Sequence, residues 1–295
     1  MSGKQTYAQL AERFGCSTKT IQRNLDKVVI VKRKEFSRVA VVIMDTTYFG
    51  RSFGVMMFKN SLDGVVLYRQ YVRYETNALY LSDIAEIRRR CVDIQAIVCD
   101  GRQRLFKIFD DIPIQMCQFH QIQIVLRYLT PKPKTQASIK LKKLTLKLTK
   151  ESKENFINSL NDWHLRWFDY LDERSQSAST GKTYYTHKRL RSAYLSLKKH
   201  LPYLFVFEEY KELMIPSTTN SLDGQFANLK NKLRNHNGLS RTRKIKFIDG
   251  FFSGINFRNF SKKRIEKTIL LTKITFRSNL SLTGCSPAEP VSVSV

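Results

Sequence analysis

The sequence predicts an α/β protein with an all-helical insertion and an N-terminal helix-turn-helix. Three observations carry that prediction. Between residues 38 and 129, short β-rich runs alternate with stretches of helical spacing. From about 125 to 212 the strand signals vanish. Ahead of both, residues 4–27 read as helix, tight turn, helix.

In order along the chain, the N-terminal hairpin comes first. Leu10 and Phe14 sit one helical turn apart, Gly15 breaks the helix, and Ser17 can cap the next. Ile21, Leu25 and Val28 then form an apolar stripe. The polar face beside Ser17 carries Thr18, Lys19, Gln22 and Arg23, groups suited to base edges and phosphates in a major groove. A solvated amphipathic hairpin is the bland alternative. Modules of this kind usually pack a third helix, and nothing upstream supplies it.

The β-rich runs are "RVAVVIMD" (38–45), "FGVMMFK" (53–59), "VVLYRQYV" (65–72), "IQAIVCD" (94–100) and "IPIQMC" (112–117). Tight connections join the first three. Helical spacing at 77–91 and 120–129 separates or follows the others. Residues 125–212 read as basic helices around a polar loop at 172–183. After Pro216 come a helix, a Gly-containing turn and a further helix. The tail 280–295 is small, polar and Pro-bearing, and is expected to be disordered.

Composition narrows the function classes. The chain has 295 residues, 42% hydrophobic, enough to bury a sizeable core. Its 51 Lys+Arg against 25 Asp+Glu leave a net charge of +26. An excess of that size calls for a polyanionic partner, nucleic acid first. The longest apolar stretches fall far short of the roughly 20 residues a membrane span requires, and no secretory h-region is visible. Five scattered cysteines fit reduced thiols in a cytosol, so a cytoplasmic location is expected.

Two carboxylates stand at the ends of β-rich runs, Asp45 after "AVVIM" and Asp100 after "IQAIVC". Neighbouring strands ending in Asp at one rim would hold two oxygen ligands a few ångströms apart, as Mg²⁺ prefers. Either residue alone could equally be a turn former. The pair in this topology favours metal chemistry, and a third acid would complete a two-metal site. "CQFH" at 117–120 is half of a zinc site whose other half is missing, so structural zinc is not expected.

The segment "NSLDG" occurs twice, at 60–64 and 220–224. The first lies between two β-like runs, and Asp-Gly there is a favoured hairpin turn. The second heads the stripe Leu222, Phe226, Leu229 and Leu233, so a helix begins near Asn220, capped by Asn220 or Thr219. Asp223 falls in its first turn, where a carboxylate is also favourable against the helix dipole. Residues 225–280 hold 14 Lys+Arg and only 2 acids, and Lys230, Lys232 and Arg234 are placed to approach phosphates.

Asp45, Asp100, "CQFH", a long helical insertion and "TTNSLDG", in this order, resemble bacterial insertion-sequence transposases of the Mutator-like (MULE) superfamily. The similarity covers about 38–255. It implies an RNase H-like mixed sheet flanked by helices, with a DDE-type core at 38–124 and 213–275. The helical insertion spans 125–212, and the DNA-binding module 1–30. The resemblance further implies cutting of element ends and joining of 3′ hydroxyls to target DNA, with two Mg²⁺ or Mn²⁺ ions. Asp45, Asp100 and Asp223 would be the metal ligands, while His120 and Cys117 match the motif between the second and third acids. Double-stranded DNA, as terminal inverted repeats and target, would be the partner. A homo-oligomer would bring two ends together.

Two departures leave a catalytically decayed relic or regulator as the alternative. The third acid is normally Glu, and Asp223 has one methylene less reach; Glu208, Glu209 and Glu212 are fallback ligands. The chain also begins at "SGKQTY", without the cysteine zinc ribbon that some relatives carry, as a truncated copy would. A nuclease acting on RNA–DNA hybrids is disfavoured by the insertion and the N-terminal module.

Overall fold

The computed structural model describes residues 5–30, 38–102, 104–236 and 238–259. The expected tail at 280–295 lies outside the described residues.

The β-rich runs become five strands: β1 (Val39–Phe49), β2 (Phe53–Asn60), β3 (Val66–Val72), β4 (Asp93–Cys99) and β5 (Ile114–Met116). They form one sheet in the order β3-β2-β1-β4-β5. Short turns let β1, β2 and β3 pair antiparallel. β4 and β5 run parallel to β1, which requires crossovers. Helices α3 (Asn77–Arg89) and α4 (Leu105–Ile108) provide them. This mixed sheet flanked by helices has the strand order and directions of an RNase H-like fold.

Period-two alternation gives the sheet two apolar faces. Ala40, Val42 and Met44 of β1 join Tyr80, Ile84 and Ile87 of α3 in one core. Val41 and Ile43 face the other way, against Leu222, Phe226 and Leu229 of α10 (Asn220–Arg234) and Ile248 and Phe252 of α11 (241–259). Covered on both sides, β2 is buried along its whole length.

Between β5 and α10 the chain makes helices α5 (Gln118–Leu129), α6 (Gln136–Leu146), α7 (Lys153–Asp172), α8 (Lys188–Leu204) and α9 (Val206–Glu209). These enclose a third core, with Leu141, Phe156, Trp163 and Leu197 in it. The polar loop expected at 172–183 is instead largely a small hairpin, β6 (Arg174–Gln176) paired with β7 (Thr183–Tyr185). Three-residue exposed strands carry no apolar alternation, so the pattern is invisible in sequence. Arg174 and Arg191, whose guanidinium carbons lie 3.8 and 4.0 Å from the Tyr185 ring centroid, steady it.

At the N-terminus, Thr6 and Gln9 form a capping box on α1 (Tyr7–Arg13), and Ser17 accepts from the Thr20 N–H to cap α2 (Thr18–Lys27). Val28 is not part of the α2 stripe; it is the cap residue and is exposed. The missing third helix comes from downstream. Arg243 of α11 grips the Asp26 carboxylate at 2.7 and 3.0 Å, and Lys246 donates to the Asp26 carbonyl at 2.5 Å. Leu10, Leu25, Phe247 and Phe251 line a cavity of about 550 Å³ at this junction. Among the described residues, no helix is long and apolar enough to cross a membrane.

Candidate catalytic site at the sheet edge

Asp45 does not end its strand. β1 continues to Phe49 because residues 44–49 keep pairing with β2, up to Phe49 opposite Phe53. The pairing of β1 with β4 stops earlier, at Ile43 opposite Val98. Two residues beyond that last pair, on the same face by alternation, come Asp45 and Asp100. That face is the one α10 covers, and Asp223 lies in the first turn of α10. The fold thus brings three sequence-distant acids to one rim.

Each carboxylate is tied to a local donor. The Thr46 N–H donates to Asp45 Oδ1 at 2.8 Å, and the Arg102 N–H donates to Asp100 Oδ1 at 3.2 Å. The Thr219 hydroxyl donates to Asp223 Oδ2 at 2.9 Å. Thr219 occupies the cap position of α10, but its side chain makes no capping bond. It serves the acid instead, and neither Asn220 nor Thr219 caps as the sequence suggested.

Burial, then the Asp223 charge, push the Asp45 carboxyl up to about 7; Asp100 adds to the rise while the Thr46 N–H and His120 oppose it. His120 is pushed up to about 9, first by its bond to Cys117, against burial, with the Cys117, Asp45 and Asp223 charges adding to the rise. These contacts favour its protonated form beside the acids. Cys117 sits at the N-terminus of α5. Burial raises its thiol, but hydrogen bonds from His120 and Thr219 outweigh that and leave it lowered. The Thr219 N–H donates to Cys117 Sγ at 3.3 Å, and its hydroxyl oxygen lies 3.4 Å from both Cys117 Sγ and His120 Nδ1. Cys16, Cys91, Cys99 and Cys117 are free thiols.

Do these residues suit a divalent cation? Their chemistry does: three hard oxygen donors share a rim, and a carboxylate raised by burial and by a neighbouring acid gains from a positive charge. Among the described residues, however, no three His, Cys, Asp or Glu side chains already converge closely enough to hold an ion. The fallback acids are engaged elsewhere. Glu208 accepts from the Lys153 N–H at 3.1 Å, heading α7, and Glu209 pairs with the Lys153 ammonium. Glu212 is exposed in a short 3-10 turn.

The expected DNA-contacting residues divide between two places. Ser17, Thr18, Lys19 and Arg23 are exposed on the hairpin, with Gln22 half-buried. Lys230, Lys232 and Arg234 lie 7, 9 and 11 residues past Asp223, roughly 10–17 Å along α10. Lys232 is half-buried, its ammonium 5.6 Å from the Phe251 ring centroid, while Arg234 is exposed. Sequence reasoning assigned Thr219 only a capping role and missed Glu75 and Arg102, which bond each other beside Asp100. The "TTN" preceding Asp223 was the one local signal for the threonine.

No family model and no curated protein sequence matches the chain. Among solved structures, it is similar to the HTLV-2 integrase catalytic core domain in complex with magnesium (dimeric form). That alignment has 15% identity and a TM-score of 0.23, and covers 52% of this chain and 95% of that one. A second similarity is to the simian T-cell lymphotropic virus intasome in complex with PP2A regulatory subunit B56 gamma. Here identity is 14% and the TM-score 0.24, over 63% of this chain and 72% of that one. The fold assignment rests on strand order and direction, independently of both alignments.

Proposed function

We propose that the chain is a DNA transposase of a bacterial insertion sequence, a DDE-type enzyme of the Mutator-like superfamily. The register that sets Asp45 and Asp100 at one rim, under the first turn of α10, supports this reading most. Asp45, Asp100 and Asp223 would hold two Mg²⁺ or Mn²⁺ ions. When bound, the ions would activate the attacking hydroxyl and stabilise the leaving oxygen of a phosphodiester. The chain's own part is to place three carboxylates and one cation. Thr219 orients Asp223 and ties it to Cys117 and His120. The His120 imidazolium offers a positive charge to a phosphate entering the rim.

In this reading residues 1–30 recognise the terminal inverted repeats through Ser17, Thr18, Lys19, Gln22 and Arg23. The core is 38–124 with 213–275, and the basic insertion 125–212 together with Lys230, Lys232 and Arg234 neutralises flanking phosphates. Affinity for DNA then falls steeply with salt. The protein acts as a homo-oligomer at two element ends, in the bacterial nucleoid. The test is strand cleavage of terminal-repeat DNA by purified protein in Mn²⁺. Asp45→Asn and Asp100→Asn should each abolish it, and undiminished cleavage by either variant would sink the assignment.

One observation favours a second reading, a DNA-binding regulator on a decayed core: the acids do not converge among the described residues. That reading expects sequence-specific binding without metal-dependent nicking.

A further inference from the structure

Arg102 follows the Asp100 turn and reaches back to the segment that precedes α3. Its Nε donates to Asn77 Oδ1 at 2.8 Å, Nη1 to Glu75 Oε1 at 2.5 Å, and Nη2 to the Glu75 carbonyl oxygen at 2.8 Å. Its backbone N–H holds Asp100 Oδ1 at the same time. Three nitrogens of one planar group thus grip a single short segment, a fork that a lysine cannot reproduce. The far side of that segment is fixed too, since the Glu75 N–H donates to the Tyr48 hydroxyl at 3.0 Å. Tyr48 belongs to β1, the strand that carries Asp45. The Glu75 side chain is only 16% exposed, and Arg102 supplies its ion pair. The result is a continuous tie from β1, through the Glu75 segment and Arg102, to the turn holding Asp100.

We propose that Arg102 is a positioning residue for the cation site, fixing the Asp100 turn relative to β1 through its grip on Glu75. The inference rests on the reading of Asp100 as a cation ligand. It assigns Arg102 and Glu75 no contact with metal or DNA.

The full-length chain, Arg102→Gln, Glu75→Gln and the double variant are compared in two Mn²⁺ titrations, of melting temperature and of terminal-repeat cleavage. DNA binding in EDTA is the control. Each single variant should raise the half-saturating Mn²⁺ concentration by about tenfold or more, in line with lost support of a ligand. The double variant should be no worse than the worse single one, because both break the same tie. DNA binding in EDTA should not change. Arg102→Lys, which keeps the charge and loses the fork, should sit between wild type and Arg102→Gln, and carries the test if the glutamine variant fails to fold.

A lower melting temperature with unchanged Mn²⁺ half-saturation would overturn the proposal, since it marks a merely structural pair. So would weakened DNA binding with unaltered metal response, or tighter Mn²⁺ binding from a freed Glu75. If the wild type gains stability from Mn²⁺ but never cleaves DNA, the transposase reading fails and the tie is still measured. If the wild type responds to Mn²⁺ in neither assay, both fail.

Discussion

At residues 60–64 the segment "NSLDG" closes the hairpin from β2 to β3, whereas at 220–224 the same five residues open α10. In the first copy Asn60 is buried and makes the most bonds. Its Oδ1 accepts from the Val41 and Leu62 N–H groups, and its Nδ2 donates to the Val39 carbonyl. Asp63 accepts from the Val65 N–H at 2.9 Å, and Gly64 takes φ of +71°. In the second copy Asn220 is exposed, and Asp223 turns to Thr219 and the sheet rim. Identical local chemistry yields a turn or a helix according to the downstream residues: β-branched "VV" after one, the stripe of Phe226, Leu229 and Leu233 after the other. Lys59, the residue just ahead of the first copy, donates to the Ser221 carbonyl of the second at 3.3 Å.

The contrast breaks most sharply at the aspartates. Asp223→Asn should reduce Mn²⁺-dependent cleavage by about a thousandfold or more, the several kcal/mol a metal site contributes to the transition state. Asp63→Asn should leave cleavage intact. Equal losses in both would erase the functional distinction.

Asp223→Glu sharpens it next. Thr219 already holds the shorter carboxylate at 2.9 Å, so the longer side chain should lower cleavage, by about tenfold if one charge-assisted hydrogen bond is lost. A gain would instead indicate a decayed third ligand.

The rim should also respond to pH. Asp45 is raised from the usual carboxylate range to about 7, so its folded form resists ionising. Its contribution is unfavourable to folding once pH exceeds the unfolded value near 4, and grows until pH passes about 7. A cation at the rim should therefore raise the melting temperature more at pH 8 than at pH 5.5. Asp45→Asn should flatten that difference, and a pH-independent metal shift in the wild type would contradict it.

The smallest effect belongs to the turn. Asp63→Ala removes one side-chain bond to the Val65 N–H and should cost about 1 kcal/mol in denaturant unfolding, with no change in cleavage. Gly64→Ala should cost about 1–2 kcal/mol, since φ of +71° disfavours a Cβ and the Asn259 amide nitrogen lies 2.9 Å from where it would be built.

The strands and helices were readable because apolar β-rich runs and helical stripes are local patterns that extend over several residues of each element. β1, β2 and α10 all show this. The positions of Asp45 and Asp100 along the chain were readable too, but not that β1 outruns β4, since register depends on partner strands that sequence does not align. Thr219 was invisible as a hub because its partners Cys117 and His120 lie about a hundred residues away. Arg102 was hidden among many arginines, because no local pattern links it to Glu75 and Asn77, 27 and 25 residues upstream. The exposed hairpin of β6 and β7 left no trace, being too short for any periodicity.

The insertion leaves and rejoins the core at a narrow neck. The Gln118 N–H donates to the Ser217 carbonyl at 2.9 Å, and Thr219 meets Cys117 beside it. The helices between share a core that also takes in Met116 of β5, while Val206 and Ile215 pack against the sheet on the side that α10 covers. Loop closure grows only with the logarithm of length, about 0.6 kcal/mol for each doubling. The neck therefore lets the exposed length of the helices between them change at little cost, while Cys117 and Thr219 keep the rim in place.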